Sequence, residues 1–400
     1  MYASRPNRIF LCMIRLLPFF CVLLFGTSCS DNSTHPPEFR LELQQEMDRF
    51  LDEKMSEYNI PGAVIGIFVP GRGTWLKAKG KADIEANKDM NLTHTLRIGS
   101  ISKTFNATII LQLVDEGLLN LEDTLNRFVP WVPNSENITI RQLCNNTSGI
   151  FNYGEDHDLN MEYVNSDFLA HYTPEELVRV AIGHEPYFPP GKGFHYSNTN
   201  FVLLAMIIEM VTGNTFKEAL EKRIFKTLNL NNTTFPVDQS IHMTGNYSHG
   251  YLEADGVLKD YTVSDHSIQW GAGGIISDLS DLELWAEVLG EGLLISKEMQ
   301  DERLKWSPHS ESGIFKYGMG VFYLGDFLGH DGGCIGFNTA LFYLPSKKAT
   351  FIILLNQSND YSGAINIFLG FANKVFPGIF QMEDRENIPT TEHLPLEISR

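Results

Sequence analysis

Cysteine is scarce in this chain of 400 residues: there are five, and two of them, Cys12 and Cys21, fall in the apolar stretch at the N-terminus. Cys29 follows that stretch directly, which leaves Cys144 and Cys334 for the rest of the chain. Two distant thiols make no disulfide framework, and both are read as buried and free. Positive charge is also short, with 31 Lys plus Arg against 49 Asp plus Glu and a formal net charge of −18. No basic stripe interrupts the acidity, so phosphate backbones are repelled and nucleic acid is excluded as a partner. The 12 histidines include no pair at i, i+4, and His184-Glu185 lacks the second His of a zinc-protease helix. Gly71-Arg72-Gly73 is too short to cradle a phosphate. No metal and no cofactor is implied. There is no low-complexity run and no internal repeat, and 43% hydrophobic with 20% charged residues is the composition of a globular protein. Disorder, collagen and coiled coil are therefore out.

Residues 1–28 follow different rules from the remainder. Arg5, Arg8 and Arg15 precede or enter the apolar run Leu16 to Phe25, and no acid occurs before Asp31. A basic start and a short apolar run closed by small residues read as an export signal, too short for a bilayer span. Gly26-Thr27-Ser28-Cys29 resembles a bacterial lipoprotein processing box, in which Cys29 is lipidated and becomes the first mature residue. Leu is commoner where Gly26 stands, so a plain signal peptide or an uncleaved anchor remain alternatives. Residues 29–38 are polar, end near Pro36-Pro37 and read as a tether. The expected location is the periplasm or cell envelope, with membrane contact only through the lipid anchor. At the other end, residues 379–400 read as a polar extension holding Pro389 and Pro395.

Between these ends the hydrophobic periodicity changes twice. Phe39, Leu43, Met47, Phe50, Leu51 and Met55 recur at helical spacing, so 38–58 is an amphipathic helix. Ala63 to Val69 and Thr74 to Lys81 flank the turn Pro70-Gly71-Arg72-Gly73 and form a hairpin. Thr95 to Ile98 is a further short strand. Residues 99–260 are dominated by helical patterns and polar loops. Strands return at Tyr317 to Leu324, Phe327 to Gly329, Phe337 to Leu344 and Ala349 to Leu355, and 361–375 is a closing helix. Strands at both ends with helices between them predict an α/β (α+β) body. One antiparallel sheet is built from chain-distant halves, with a helical subdomain over roughly 99–260 inserted beside it. The junction of the two is where a site is expected.

Three segments carry chemistry. Ser100-Ile101-Ser102-Lys103 opens an apolar helix that runs to about Glu116. Ser100 and Lys103 share one face of its first turn, where an amine can take the hydroxyl proton beside the free N–H groups of a helix start. The amine must be neutral for this, and burial lowers its pKa. Phe188-Pro189-Pro190-Gly191-Lys192-Gly193-Phe194-His195-Tyr196-Ser197-Asn198 is a turn-rich loop ahead of the helix Phe201 to Met210. A short extended stretch points Tyr196 and Asn198 the same way; a phenol can share a proton with an ammonium, and an amide can hold a substrate carbonyl. Gly329-His330-Asp331-Gly332-Gly333 places paired glycines in a strand, which is unfavourable unless something approaches the backbone. An acyl substrate held there could accept hydrogen bonds from the Ser100 and Gly333 N–H groups, an oxyanion hole. Each segment alone is also compatible with a structural role: a capped helix, a core Tyr, a β-bulge.

Together and in this order the segments resemble the serine β-lactamase and penicillin-binding-protein superfamily. The nearest likeness is to the branch with class C β-lactamases, D-Ala-D-Ala carboxypeptidases and related esterases. Arg97-Ile98-Gly99, the run Ile138 to Leu143 before Thr147-Ser148-Gly149, and Gly271-Ala272-Gly273-Gly274-Ile275-Ile276-Ser277 before Asp281 add to it, over residues 39–376. The resemblance implies a hydrolase domain over 39–378 with a Ser100 nucleophile, and Lys103 and Tyr196 moving its proton. It further implies substrate contacts from Asn198, His330 and Gly332, and an oxyanion hole of the Ser100 and Gly333 N–H groups. Two positions depart from it. His330 stands where class C enzymes have Lys, and a His of ordinary pKa is a weaker anchor for a substrate carboxylate; Lys316 or Arg303 are candidates to supply the charge. Asn146 stands where relatives often have His, and sequence attaches no mechanism to the change. The favoured expectation is an exported acyl-hydrolase acting on D-amino-acid termini, with peptidoglycan as a partner. A carboxylesterase, a weak class C-like β-lactamase and a non-hydrolytic muropeptide binder are the alternatives.

Overall fold

The computed structural model describes residues 38–236, 241–254, 256–307, 309–310, 314–359 and 361–380. The leader 1–28, Cys29, the tether apart from Glu38, and the tail from 381 onward lie outside the described residues.

The sheet strands are β1 (Gly62–Val69), β2 (Gly73–Asp83), β3 (Lys88–Asp89), β4 (Phe315–Tyr317), β5 (Phe322–Leu324), β6 (Phe327–Cys334), β7 (Phe337–Leu344) and β8 (Ala349–Leu355). They form one eight-stranded sheet in the order β3-β2-β1-β8-β7-β6-β5-β4. Every pairing is antiparallel. The two chain-distant halves meet where β8 pairs with β1, Ile65 opposite Ile353. β7 and β8 are buried at every position, and their side chains alternate between two cores. Phe342, Phe351 and Ile353 join the core under α1 (Leu41–Glu57) and α5 (Gly363–Val375). Leu341, Ile352 and Leu354 join the core shared with the helical lobe. α1 and α5 lock edge-on through Phe50 and Phe371, 5.1 Å between ring centroids.

On the lobe side lie α2 (Ser102–Asp115), α3 (Asn198–Thr212) and α4 (Leu279–Glu291). The long hydrophobic faces of α2 and α3 are buried on all sides at their centres, which makes them the rigid props of anything held at their N-termini. Trp285 of α4 stacks on Phe105 of α2 at 3.8 Å and donates from Nε1 to the Thr104 hydroxyl at 2.9 Å.

Three expectations need correcting. The run Tyr317 to Leu324 is two short strands, broken at Gly318–Val321, where Gly320 takes a φ of +69°. The region up to 260 is also not purely helical: Tyr251–Ala254 and Val257–Asp260 form a hairpin. Its signal is the Asp255-Gly256 pair, a turn dipeptide between two short apolar-alternating runs. The strand expected at Thr95 to Ile98 is the two-residue Leu96–Arg97, paired with Ile276–Ser277. Cys144 and Cys334 are free and buried, as expected.

Candidate active site

Ser100 lies in a single 3₁₀ turn, Gly99–Ile101, that runs without a break into α2. It is 1% exposed. The local spacing then does what helical geometry requires: Lys103 Nζ donates to Ser100 Oγ at 2.8 Å. Nζ also donates to the Ala272 carbonyl at 2.8 Å, so the amine is fixed from two directions. It sits 4.9 Å from the Tyr196 ring centre and 5.6 Å from that of Phe201. Lys103 has no exposed surface, and this desolvation pulls its pKa well below the usual amine range, with the Asp331 charge opposing in part.

The Ala272 carbonyl belongs to the glycine-rich run that sequence singled out without a role. Asn106, one turn along α2 from Lys103, donates to the Gly271 and Phe201 carbonyls, both at 2.9 Å. Ser102 Oγ accepts from the Ile275 N–H at 3.1 Å, and the Ile98 N–H donates to the Ile275 carbonyl at 3.0 Å. The run is thus stitched to both flanks of Ser100.

Tyr196 arrives from the loop before α3. The residue is partly exposed while its hydroxyl oxygen is buried. Desolvation holds the phenol's pKa well above 10, and the neighbouring Ser100 hydroxyl opposes that shift in part. Ser197 is extended, with φ −141° and ψ 118°, but Asn198 is already the first residue of α3. The pair is therefore not one extended stretch. The Asn198 N–H donates to Asn152 Oδ1 at 3.1 Å, and its side chain lies against Gly154.

The loop is zipped to residues 146–153. The N–H groups of Tyr187, Gly191 and His195 donate to the carbonyls of Gly149, Thr147 and Asn146 at 2.9, 2.8 and 3.1 Å. Gly149 has a φ of +79°, and a Cβ there would lie 2.0 Å from the Phe188 carbonyl oxygen, so the Thr-Ser-Gly motif ends in the one residue that fits.

β6 closes the site. Its pairing with β5 ends at Gly329, and beyond that point it runs beside the Ser100 turn. A Cβ on Gly332 would lie 2.0 Å from the Ile98 carbonyl oxygen, and one on Gly99, whose φ is +52°, 2.7 Å from the Gly333 nitrogen. The approach that these strand glycines admit is the chain's own backbone, which brings the segments holding the Ser100 and Gly333 N–H groups together. His330 has no exposed surface. Its Nδ1 lies 2.6 Å from the Asp331 carbonyl and its Nε2 3.5 Å from the Tyr317 hydroxyl. Since a carbonyl only accepts, Nδ1 carries the proton and Nε2 is the acceptor. Burial lowers the His330 pKa below its ordinary value, with Asp331 opposing; the ring is neutral near pH 7. Arg303 is not in the site. It is buried, donating to Thr108 Oγ1 at 2.7 Å and Gln300 Oε1 at 3.3 Å. Lys316 lies on β4 beside Tyr317.

A buried Ser–Lys–Tyr cluster between an antiparallel sheet and a helical lobe defines a serine hydrolase of the β-lactamase and transpeptidase type. The chain belongs to the Beta-lactamase family, whose model matches residues 47–369. It is 28% identical over 299 residues to penicillin-binding protein 4* of Bacillus subtilis, covering 70% of this chain and 65% of that protein, under two thirds of its length. Among solved structures, a D-stereospecific amidohydrolase from Streptomyces superposes with a TM-score of 0.73 at 31% identity, over 84% of this chain and 98% of that one. The octameric penicillin-binding protein homologue from Pyrococcus abyssi gives 0.71 at 30% identity, over 82% and 77%.

Proposed function

We propose that the protein is an exported serine acyl-hydrolase that works through an acyl-enzyme on Ser100, in the manner of a D-Ala-D-Ala carboxypeptidase or a related hydrolase of D-amino-acid derivatives. The observation that carries the reading is the 2.8 Å contact between Ser100 Oγ and a fully desolvated Lys103. A lysine so placed is neutral at a pH where a free amine is charged, and can take the hydroxyl proton as Oγ attacks the acyl carbonyl. The oxyanion is held by the Ser100 and Gly333 N–H groups, and Asn198 orients the substrate. The proton passes through Tyr196 to the leaving amine as the C–N bond breaks. Water then enters, gives a proton back along the same groups and releases the acid, restoring Ser100. Export, lipidation at Cys29 and contact with peptidoglycan in the periplasm belong to the same proposal and rest on the leader's charge pattern.

A second reading, amides or esters with no carboxylate on the leaving side, draws on His330. Its ring is neutral and its one N–H is turned to the Asp331 carbonyl, which leaves it poorly suited to anchor an anion. The similarity to an amidohydrolase named for D-stereospecificity points the same way.

The test is to mix the protein with benzylpenicillin and follow intact masses of protein and drug from seconds to an hour, with Ser100→Ala in parallel. A protein adduct absent from the variant supports the nucleophile and a pocket that accepts a D-Ala-D-Ala mimic. Drug hydrolysed without a lasting adduct promotes the β-lactamase. If neither mass changes, turnover of a D-amino-acid amide against Lys-D-Ala-D-Ala decides between the second reading and an inert binder.

A further inference from the structure

We infer that Asn146 is a positioning residue that holds Tyr196 against the Ser100–Lys103 pair, an inference that rests on the Ser100 reading above. Tyr196 is placed by its two chain neighbours, and both are fastened to the same residue. The His195 N–H donates to the Asn146 backbone carbonyl at 3.1 Å, and the Ser197 N–H donates to Asn146 Oδ1 at 3.2 Å. The same Oδ1 accepts from Asn200 Nδ2 at 2.8 Å, tying the loop to the first turn of α3. Asn200 is held in turn, its Oδ1 accepting from Ser148 Oγ at 2.6 Å.

The far side of the Tyr196 ring is braced by Tyr317. The Tyr317 ring meets that of Tyr196 edge-on, 6.0 Å between centroids at 80°, and its hydroxyl faces His330 Nε2. Asn146 thus fastens the chain on both sides of Tyr196, whose ring stands against Tyr317.

The residue type follows from the backbone. A capping box of Thr139 and Gln142 starts the short helix Ile140–Cys144, and the chain leaves it with Asn146 at a φ of +58°, without exposed surface. Asn adopts this left-handed conformation more readily than other side-chain-bearing residues. Its amide oxygen then supplies what Ala or Gly there could not: an acceptor for two buried donors, the Ser197 N–H and Asn200 Nδ2.

The experiment compares wild type, Asn146→Gly and Asn146→Asp in acylation by a chromogenic ester, with Ser100→Ala as blank. Gly keeps the left-handed backbone and the His195 bond while removing the side chain; Asp keeps Oδ1 as acceptor. Since a displacement near 1 Å at reacting groups costs on the order of 100-fold, Asn146→Gly is expected to lose about that much in kcat with KM within about 3-fold. Asn146→Asp is expected to recover most of the loss, with its rate–pH limb moved to higher pH by the added negative charge. A folded Asn146→Gly that acylates at the wild-type rate overturns the inference, as does a loss that falls on KM. If Asn146→Gly does not fold, Asn146→Asp with a rate–pH limb unmoved from wild type overturns it. Wild type that forms no acyl-enzyme fails the Ser100 reading itself, whereas wild type that reacts while all variants match it fails only the role of Asn146.

Discussion

At the scale of single residues, the site depends on a lysine kept out of water. A neutral amine beside Ser100 is useful as a base and costly to the fold, and both consequences can be measured. Acylation should rise with pH through the depressed Lys103 pKa, at a pH below the usual 10.5 for a lysine. Lys103→Arg keeps the cation at every accessible pH and should lose about 10²- to 10⁴-fold in acylation rate, the usual value of a general base. The stability effect has a definite sign. Because the folded pKa lies below 10.5, the unfolded chain binds the extra proton first. This group therefore costs no stability above 10.5, and its cost grows as pH falls to the folded value. The melting temperature of Lys103→Met relative to wild type should be higher at pH 7 than at pH 10.5; a difference independent of pH contradicts the assignment.

Ser100 and Lys103 were legible in sequence because their contact is local, one helical turn within one element. Tyr196 was found from the loop chemistry around it. Asn106, Asn152 and the Ala272 carbonyl were missed, and Asn146 was noticed without a role, for a common reason. Their bonds join residues 46 to 169 positions apart, and an Asn in a loop looks the same whether it caps, turns or bridges. Only the glycine-rich run hinted at the Ala272 contact, and its composition did not say which carbonyl would turn inward.

At the scale of elements, close packing replaces hydrogen bonding as the deciding force. α1 and α5 approach closely enough that a Cβ on Gly370 would lie 2.0 Å from Phe50 Cζ. Gly370→Ala should therefore destabilise the protein, by about 1–3 kcal/mol if the two helices separate as overpacked cores do. Catalysis per folded molecule should be unchanged, because that face of the sheet is opposite the lobe. Denaturant midpoints with parallel ester kinetics test both halves. The elements themselves were largely foreseen: β7 and β8 match the expected strands residue for residue. Continuous buried runs bounded by the Pro345-Ser346 turn leave little choice. The break in Tyr317 to Leu324 was not foreseen, because a backbone turned at Gly320 to clear Ala107, 2.4 Å from its would-be Cβ, is a tertiary demand on an apolar run.

At the scale of the whole molecule, charge bears on substrate. The chain carries −18, and at the site Lys103 and His330 are both pushed toward neutrality. An anionic substrate such as benzylpenicillin should meet long-range repulsion that salt screens, so its acylation rate should rise between about 0.01 and 0.15 M ionic strength, where the Debye length falls from roughly 30 to 8 Å. An uncharged ester should show no such rise. Stopped-flow acylation across a salt series separates the two.

By itself the sequence determined what is written in nearest neighbours: the periods of helices and strands, the turn residues, the Ser–Lys spacing, and the acidic net charge. Those features depend on residues a few positions apart, where backbone geometry alone sets which side chains meet. The tertiary structure decided the rest: that β8 lies between β1 and β7, that His330 is enclosed with its N–H turned inward, and that Asn146 holds both neighbours of Tyr196. These depend on which distant segments exclude water together, and burial is a property of the assembled layers rather than of any stretch of chain.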